Sequence, residues 1–169
     1  MKIAILCDTH CGIRNSSEVF LDNAEDFYTN IFFPECQKQG ITQILHLGDY
    51  YDHRKFVNFK ALNQNRRVFL DQLRKNNMMM DIIPGNHDTY YKNTNELNSL
   101  RECLGHYMNE IHIVMEPTVM QYGSLSMGLL PWICADNYDQ SMNFIRDCKA
   151  DWLGAHLELS NFEIGRGIM

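Results

Sequence analysis

Four short clusters in this chain carry side chains able to bind a metal ion: Asp8-Thr9-His10, Gly48-Asp49, Gly85-Asn86-His87-Asp88 and Gly154-Ala155-His156. Carboxylate, imidazole and amide oxygen without thiolate form a donor set for a fairly hard divalent cation such as Mn2+, Mg2+, Fe2+ or Zn2+. A carboxylate has two oxygens, so Asp49 could bridge two ions. Two ions about 3.5–4 Å apart can clamp a phosphoryl group and generate a hydroxide nucleophile. His87 is then placed to donate a proton or steady developing charge. Asp8 and His10 can both face one ion only if the chain bends as it leaves its strand.

Each cluster follows an apolar run of strand length. Strands are expected over residues 2–7, 43–47 and 78–83, the last broken by Pro84-Gly85. Between them, Phe20, Ala24, Phe27 and Ile31 recur as one helix face, which Pro34 should kink or shorten and Gly40 should stop. A second helix is expected over 56–75, with Phe59, Leu62, Phe69 and Leu73 on one face. Asn93 with Glu96 is a cap pattern for a helix through Leu97, Leu100 and Leu104. Short strands follow at 111–115, 119–122 and 125–130, closed by Pro131-Trp132, then a helix over 138–149 and a strand over 151–155.

Alternating strands and helices in the first half imply a parallel sheet with covering helices, whose ligands bind outside the strand carboxyl ends. Individually the clusters have plainer readings. Asn86 and Asp88 could bond their own backbone in a turn, Asp8 could cap a helix, and His156 could be a hydrogen-bonded core histidine. Their recurrence at four equivalent strand ends favours a site. His46, inside a strand, reads as structural, and His106 and His112 as surface or packing residues. His53-Arg54-Lys55 is either a solvated loop or a phosphate contact.

The 169 residues suffice for one domain with its own core, residues 1–169 reading as a single unit without repeat or linker. No run approaches the roughly 18 apolar residues of a membrane span. The start of the chain enters a strand directly and shows no signal-peptide cleavage pattern. Cysteines 7, 11, 36, 103, 134 and 148 have no CxxC spacing, which fits a reducing cytoplasm. A net charge of -6 argues against gripping nucleic acid by the overall field. Bound cations can still invert the field locally.

The order Asp8-Thr9-His10, Gly48-Asp49-Tyr50-Tyr51-Asp52, Gly85-Asn86-His87-Asp88 and a later glycine-containing histidine site resembles the calcineurin-like metallophosphoesterases. Within them it is most similar to the SbcD-type DNA repair nucleases, in the branch of recombination endonuclease subunits of T4-like phages. Leu130-Pro131-Trp132-Ile133-Cys134 and the run from Gly154 to Leu159 share that likeness. The resemblance covers essentially the whole chain and the amino-terminal half of the family's full-length proteins. It implies a layered α/β/β/α sandwich with mixed sheets, cut short relative to the family, and a metal site at the strand carboxyl ends.

Position by position, the resemblance implies that Asp8 and His10 bind one ion, Asp49 bridges, and Asn86 and His156 bind the other. His87 would assist catalysis, Asp52 and Asp88 would support the ligands from behind, and Arg54 and Lys55 would meet DNA. The ions would be two, manganese by preference, with magnesium or iron as alternatives. The family closes its site with a Gly-His-x-His block that adds a ligand to each ion, and no histidine follows His156 here. The implied function is metal-dependent hydrolysis of DNA phosphodiesters in end processing and recombination, in host cytoplasm for a phage protein. The implied partners are an SbcC-like coiled-coil ATPase and a second copy, joined through helices 56–75 and 94–105. Val57, Ala61 and Val68 appear to the sequence as extra apolar surface for that pairing. Two alternatives stay open: a phosphatase or cyclic-nucleotide phosphodiesterase, and a non-catalytic fragment or scaffold that binds a partner. Phosphoprotein phosphatases of the superfamily typically carry Arg-Gly after the second aspartate, where this chain has His53-Arg54.

Overall fold

A computed structural model describes residues 1–158; Leu159, which ends the run beginning at Gly154, lies outside them. Strands β1 (Ala4–Leu6), β2 (Gln43–His46), β3 (Met79–Ile82) and β4 (Ile111–Ile113) form one sheet in sequence order, every neighbour parallel. Strands β5 (Thr118–Tyr122), β6 (Leu125–Leu130) and β7 (Trp152–Ala155) form a second sheet, with β5–β6 antiparallel and β6–β7 parallel. The β5–β6 hairpin turns at Gly123, whose φ of 67° suits a residue without Cβ.

Three helical segments run end to end as α1: Glu18–Asp26, Phe27–Phe32 and Phe33–Gln39. The middle one is wound more widely, with the Phe33 N–H donating five residues back to Tyr28 O. Pro34 removes an N–H and would crowd the carbonyl of residue 30 in a regular helix. The wide turn just before it absorbs that conflict, so the helix is not shortened and runs on to Gly40 (φ 67°). Helix α2 is built the same way from Phe59–Asn65, Arg66–Leu70 and Asp71–Lys75. It starts three residues later than the expected position 56, because the Asn58 side chain accepts the Lys60 N–H and caps it there. Helix α3 (Ser99–Leu104) is capped by Asn98, which accepts from Arg101 N, and not by the expected Asn93–Glu96 pair. Helix α4 is Tyr138–Asp147.

One core lies between the parallel sheet and α1, α2 and α3, around Tyr28, Phe32, Phe33, Phe69, Leu73, Ile44, Met80 and Leu100. A second lies between the sheets, around Leu45, Ile83, Val114, Tyr122, Met127 and Leu129. Phe144 of α4 approaches Gly128 of β6 from the far side, which completes the α/β/β/α layering. A buried carboxylate fastens the two sheets. Asp81 on β3 accepts from Gln43 Nε2 (2.7 Å), Tyr122 Oη (2.8 Å) and His112 Nδ1 (2.9 Å). His112 is an exposed residue, as expected, and β3–β4 register puts it directly opposite Asp81, which gives it an acidic partner far away in sequence.

Helix facing also differs from expectation. In α1 the core receives Leu21, Tyr28, Phe32 and Cys36, while Phe20, Phe27 and Ile31 are exposed and Ala24 is only partly covered. In α2 the core receives Ala61, Val68, Phe69 and Leu73, whereas Phe59 stands out in solvent. Val68 and Ala61 are thus core residues and add nothing to a pairing surface.

The α1 assignment predicts opposite outcomes for adjacent residues. Phe32→Ala, at 9% exposure, should cost about 3–5 kcal/mol by chemical denaturation. Ile31→Ala, at 55% exposure, should stay within about 0.5 kcal/mol.

Candidate metal centre

The clusters after β1 and β2 are zipped to each other. Asp8 N–H donates to Gly48 O (3.1 Å), His10 N–H to Asp49 O (3.0 Å) and Cys11 N–H to Tyr50 O (2.7 Å), extending the parallel pairing beyond both strands. Within this extension Asp8 (φ 50°), His10 (φ 42°) and Asp49 (φ 53°) adopt left-handed backbone. Residues with a Cβ occupy that region at a cost, and such strain gathers at functional sites. It supplies the bend that lets Asp8 and His10 turn toward one point.

The loop after β3 is held against that pair by Asp88. Its carboxylate is fully buried and accepts backbone N–H bonds from Tyr50 (3.0 Å), Tyr51 (3.1 Å) and Gly85 (3.0 Å). Burial pushes its pKa up to about 6 against the downward pull of those donors. The loops touch where side chains are missing. A Cβ on Gly85 would fall inside contact of Asp49 Oδ1 and the Asp49 backbone N, and one on Gly48 would lie 2.8 Å from Gly85 Cα. His46 sits beneath, accepting from Gly48 N–H at Nδ1 (3.3 Å) and facing Thr9 Oγ1 from Nε2 (3.0 Å). Full burial lowers its pKa to about 3, so it serves as a neutral strut, as its place in a strand suggested.

The candidate ligands converge on Asp49. Its Oδ2 lies 3.7 Å from His10 Nε2 and 3.4 Å from His156 Nε2, and its Oδ1 accepts from His87 N–H (2.8 Å). Asp8 Oδ1 is 3.7 Å from His10 Nε2. His10, Asp49 and His87 offer donor atoms all within 4.8 Å of one another, and so do Asp8, Asp49 and His156. His87 thus stands as close to the cluster as the residues expected to ligate. Asn86 Oδ1 lies 2.9 Å from His156 Nε2.

Hydrogen bonds behind the imidazoles set which nitrogen faces the cluster. His156 Nδ1 is 3.0 Å from Leu47 O, and His87 Nδ1 is 2.6 Å from Asp52 O. A carbonyl only accepts, so both Nδ1 atoms carry a proton, which leaves Nε2 as the nitrogen of each ring able to offer a lone pair; that of His156 faces Asp49 Oδ2. His10 Nδ1 is buried without a hydrogen bond, since the Asp52 carboxylate 3.3 Å away is out of line for one. Bare nitrogens repel the carboxylate or amide oxygens they face, and His156 Nε2 against the Asn86 amide oxygen Oδ1 is a pair of acceptors of this kind. A divalent cation resolves that crowding, so the residues present fit a metal centre.

Asp88 sits on backbone N–H groups behind the cluster, and the Asp52 carbonyl sits against His87 Nδ1. Arg54 is engaged with the protein: its Nη1 contacts Thr89 O and Thr89 Oγ1 (both 3.3 Å), and its guanidinium lies 5.1 Å from the Trp132 ring centre. Lys55 Nζ lies 5.6 Å from the centre of the Tyr90 ring. The sequence reading missed the aromatic partners of this loop, namely the His53–Phe56 stack (4.4 Å) and the Tyr90–Tyr91 pair (4.7 Å). Their signal was the density of aromatics flanking the second and third clusters.

The sequence profile of the calcineurin-like phosphoesterases matches residues 1–158. Exonuclease subunit 1 of Enterobacteria phage T4 is 29% identical over 168 residues, which covers 99% of this chain and 49% of the relative. The chain therefore spans about half the length of that relative. Among solved structures, a nuclease named MPE from Pseudomonas putida aligns with a TM-score of 0.49 at 17% identity, over 77% of this chain and 60% of that one. No helix among the described residues is long and apolar enough to cross a membrane.

The Gly85–Asp49 contact yields a direct test. Gly85→Ala should weaken Mn2+ binding by about 10–100-fold in titration calorimetry, with far-ultraviolet circular dichroism checking that the fold persists. Unchanged affinity would show that the two loops need not meet so closely.

Proposed function

Because the chain belongs to the calcineurin-like phosphoesterases, we propose that it is the metal-dependent nuclease part of a DNA end-processing and recombination assembly. The observation that carries this reading is the single Asp49 oxygen lying 3.7 Å and 3.4 Å from two inward-facing imidazole nitrogens, those of His10 and His156. That arrangement suits a carboxylate bridging two ions. The phage relative is named as an exonuclease subunit, which supports a nucleic acid as substrate and a second protein as partner; the proposal takes these as DNA and an SbcC-like coiled-coil ATPase.

In this reading Asp8 and His10 would hold one ion, Asn86 and His156 the other, and Asp49 would serve both; manganese would be the preferred ion, with magnesium or iron as alternatives. When bound, the pair supplies Lewis acidity at the phosphate and lowers the pKa of an attacking water. The chain's own contribution is orientation and proton handling. Asp52 O keeps the His87 Nδ1 proton in place (2.6 Å), so that Nε2 would take the proton the attacking water loses and give it to the departing sugar oxygen. The His87 N–H to Asp49 Oδ1 bond fixes the distance between that proton carrier and the bridging carboxylate. Asp88 holds both loops in register.

Self-association through helices 56–75 and 94–105 is supported by Phe59 at 86% exposure. With Leu62 and Leu97 it lines an apolar cavity of about 270 Å³ between α2 and α3. A pairing of such helices across a two-fold axis would bury these side chains.

Two measurements test these proposals. With Mn2+, the protein in its full natural length should degrade double-stranded DNA ends, and His87→Ala should lower turnover by about 100-fold or more while Mn2+ still binds. Preference for p-nitrophenyl phosphate would favour a phosphatase, and hydrolysis of neither substrate would favour a non-catalytic scaffold. In light scattering the same protein should be a dimer that Phe59→Glu converts to a monomer; a monomeric parent at all concentrations would end the dimer proposal.

A further inference from the structure

We infer that the segment His53–Phe56 is a stacking slot for an unpaired DNA base next to the scissile phosphate. The inference rests on the nuclease reading for its substrate, and on the following geometry for its location.

A cavity of about 320 Å³ opens beside the metal cluster, lined by Asp52, His53, Arg54, Lys55, Phe56 and His87. Its volume is at the lower end of the roughly 300–1,000 Å³ range of small-ligand sites. His87 is the residue expected to meet the leaving oxygen, so whatever fills this cavity is adjacent to the bond being broken. The wall opposite is flat and aromatic: the His53 and Phe56 rings stack at 4.4 Å and 25°. Phe56 is 60% exposed, an unusual cost for a ring held in a fixed stack unless a second flat face covers it.

Two cations, Arg54 and Lys55, line the cavity beside this wall. Arg54 bonds Thr89 O, Thr89 Oγ1 and Tyr91 O, tying the 53–56 segment to the tyrosine loop. Lys55 lies over Tyr90, and Tyr90 meets Tyr91, 51% exposed, edge to face. Cations interleaved with exposed aromatic rings form the recognition chemistry of single-stranded nucleic acid, where each base stacks and each phosphate meets a positive charge. The interior of a duplex offers no free base face to such a wall. Residues 53–56 also line the cavity formed with Phe59, Leu62, Tyr90 and Leu97, so the slot adjoins the proposed pairing surface.

The test uses a short single strand carrying terminal 2-aminopurine, titrated into the protein in EDTA so that no cleavage occurs. Binding should quench the fluorophore. Phe56→Ala should weaken binding by about 5- to 160-fold, the equivalent of about 1–3 kcal/mol for one stacked base, and Phe56→Trp should restore it. No quench with the parent protein, or equal quench and affinity in all three proteins, would overturn the slot. The nuclease reading is scored separately with Mn2+, by hydrolysis of methyl p-nitrophenyl phosphate, which carries no base. Thymidine 5′-p-nitrophenyl phosphate should be the better substrate for the parent, and that preference should collapse toward unity in Phe56→Ala. Quenching without hydrolysis of either ester would retain the slot and reject the nuclease; hydrolysis without base preference would do the reverse.

Discussion

Everything in this site depends on one buried carboxylate that belongs to no expected metal ligand. Asp88 takes backbone N–H groups from Tyr50, Tyr51 and Gly85, and so binds the loop after β2 to the loop after β3. Three backbone donors on one carboxylate can compensate its loss of water, and the two loops are then held at a spacing only glycines tolerate, Gly48 against Gly85. That spacing lets Asp49 Oδ1 receive the His87 N–H and leaves Oδ2 pointing at His10 and His156. Without Asp88, the loops after β2 and β3 would lose the acceptor they share.

The second dependency is the meeting of the two sheets. His156 leaves β7 in the smaller sheet, yet its Nδ1 rests on Leu47 O of the larger one. The cluster therefore exists only while the sheets stay in register. Leu45, Ile83 and Val114 packed on Tyr122, Met127 and Leu129 supply the cohesion. Asp81, joined to Gln43, His112 and Tyr122, supplies direction, since a buried carboxylate with three donors has few alternative arrangements of comparable energy. The left-handed backbone at Asp8, His10 and Asp49 is strain that this framework sustains. A metal centre needs donors fixed before the ion arrives, and strained loops between rigid sheets meet that need.

Much of this architecture is visible in the order of residues. The strand–helix alternation, the carboxyl-end placement of Asp8, His10, Asp49, Asn86, His87 and His156, and the bend required after β1 all follow from local pattern. So do the structural character of His46 and the stop at Gly40. These features depend on hydrophobic period, glycine placement and the chemistry of single side chains, which act over a few residues.

What the tertiary structure alone decided concerns choices between locally equal options. Helix α1 carries two apolar stripes one residue apart, through Phe20, Phe27 and Ile31 and through Leu21, Tyr28 and Phe32. Periodicity describes both equally, and only packing against Phe69 and the sheet selects the second. The same holds for Val68 and Phe59 on α2. The His112–Asp81 pair joins residues 31 positions apart, and the His156–Leu47 bond spans 109. Such contacts are set by strand register and sheet stacking, which sum many distant interactions. The sequence by itself therefore determined which donors stand at strand ends, whereas the fold decided which nitrogen of each imidazole is free and what lies beside it.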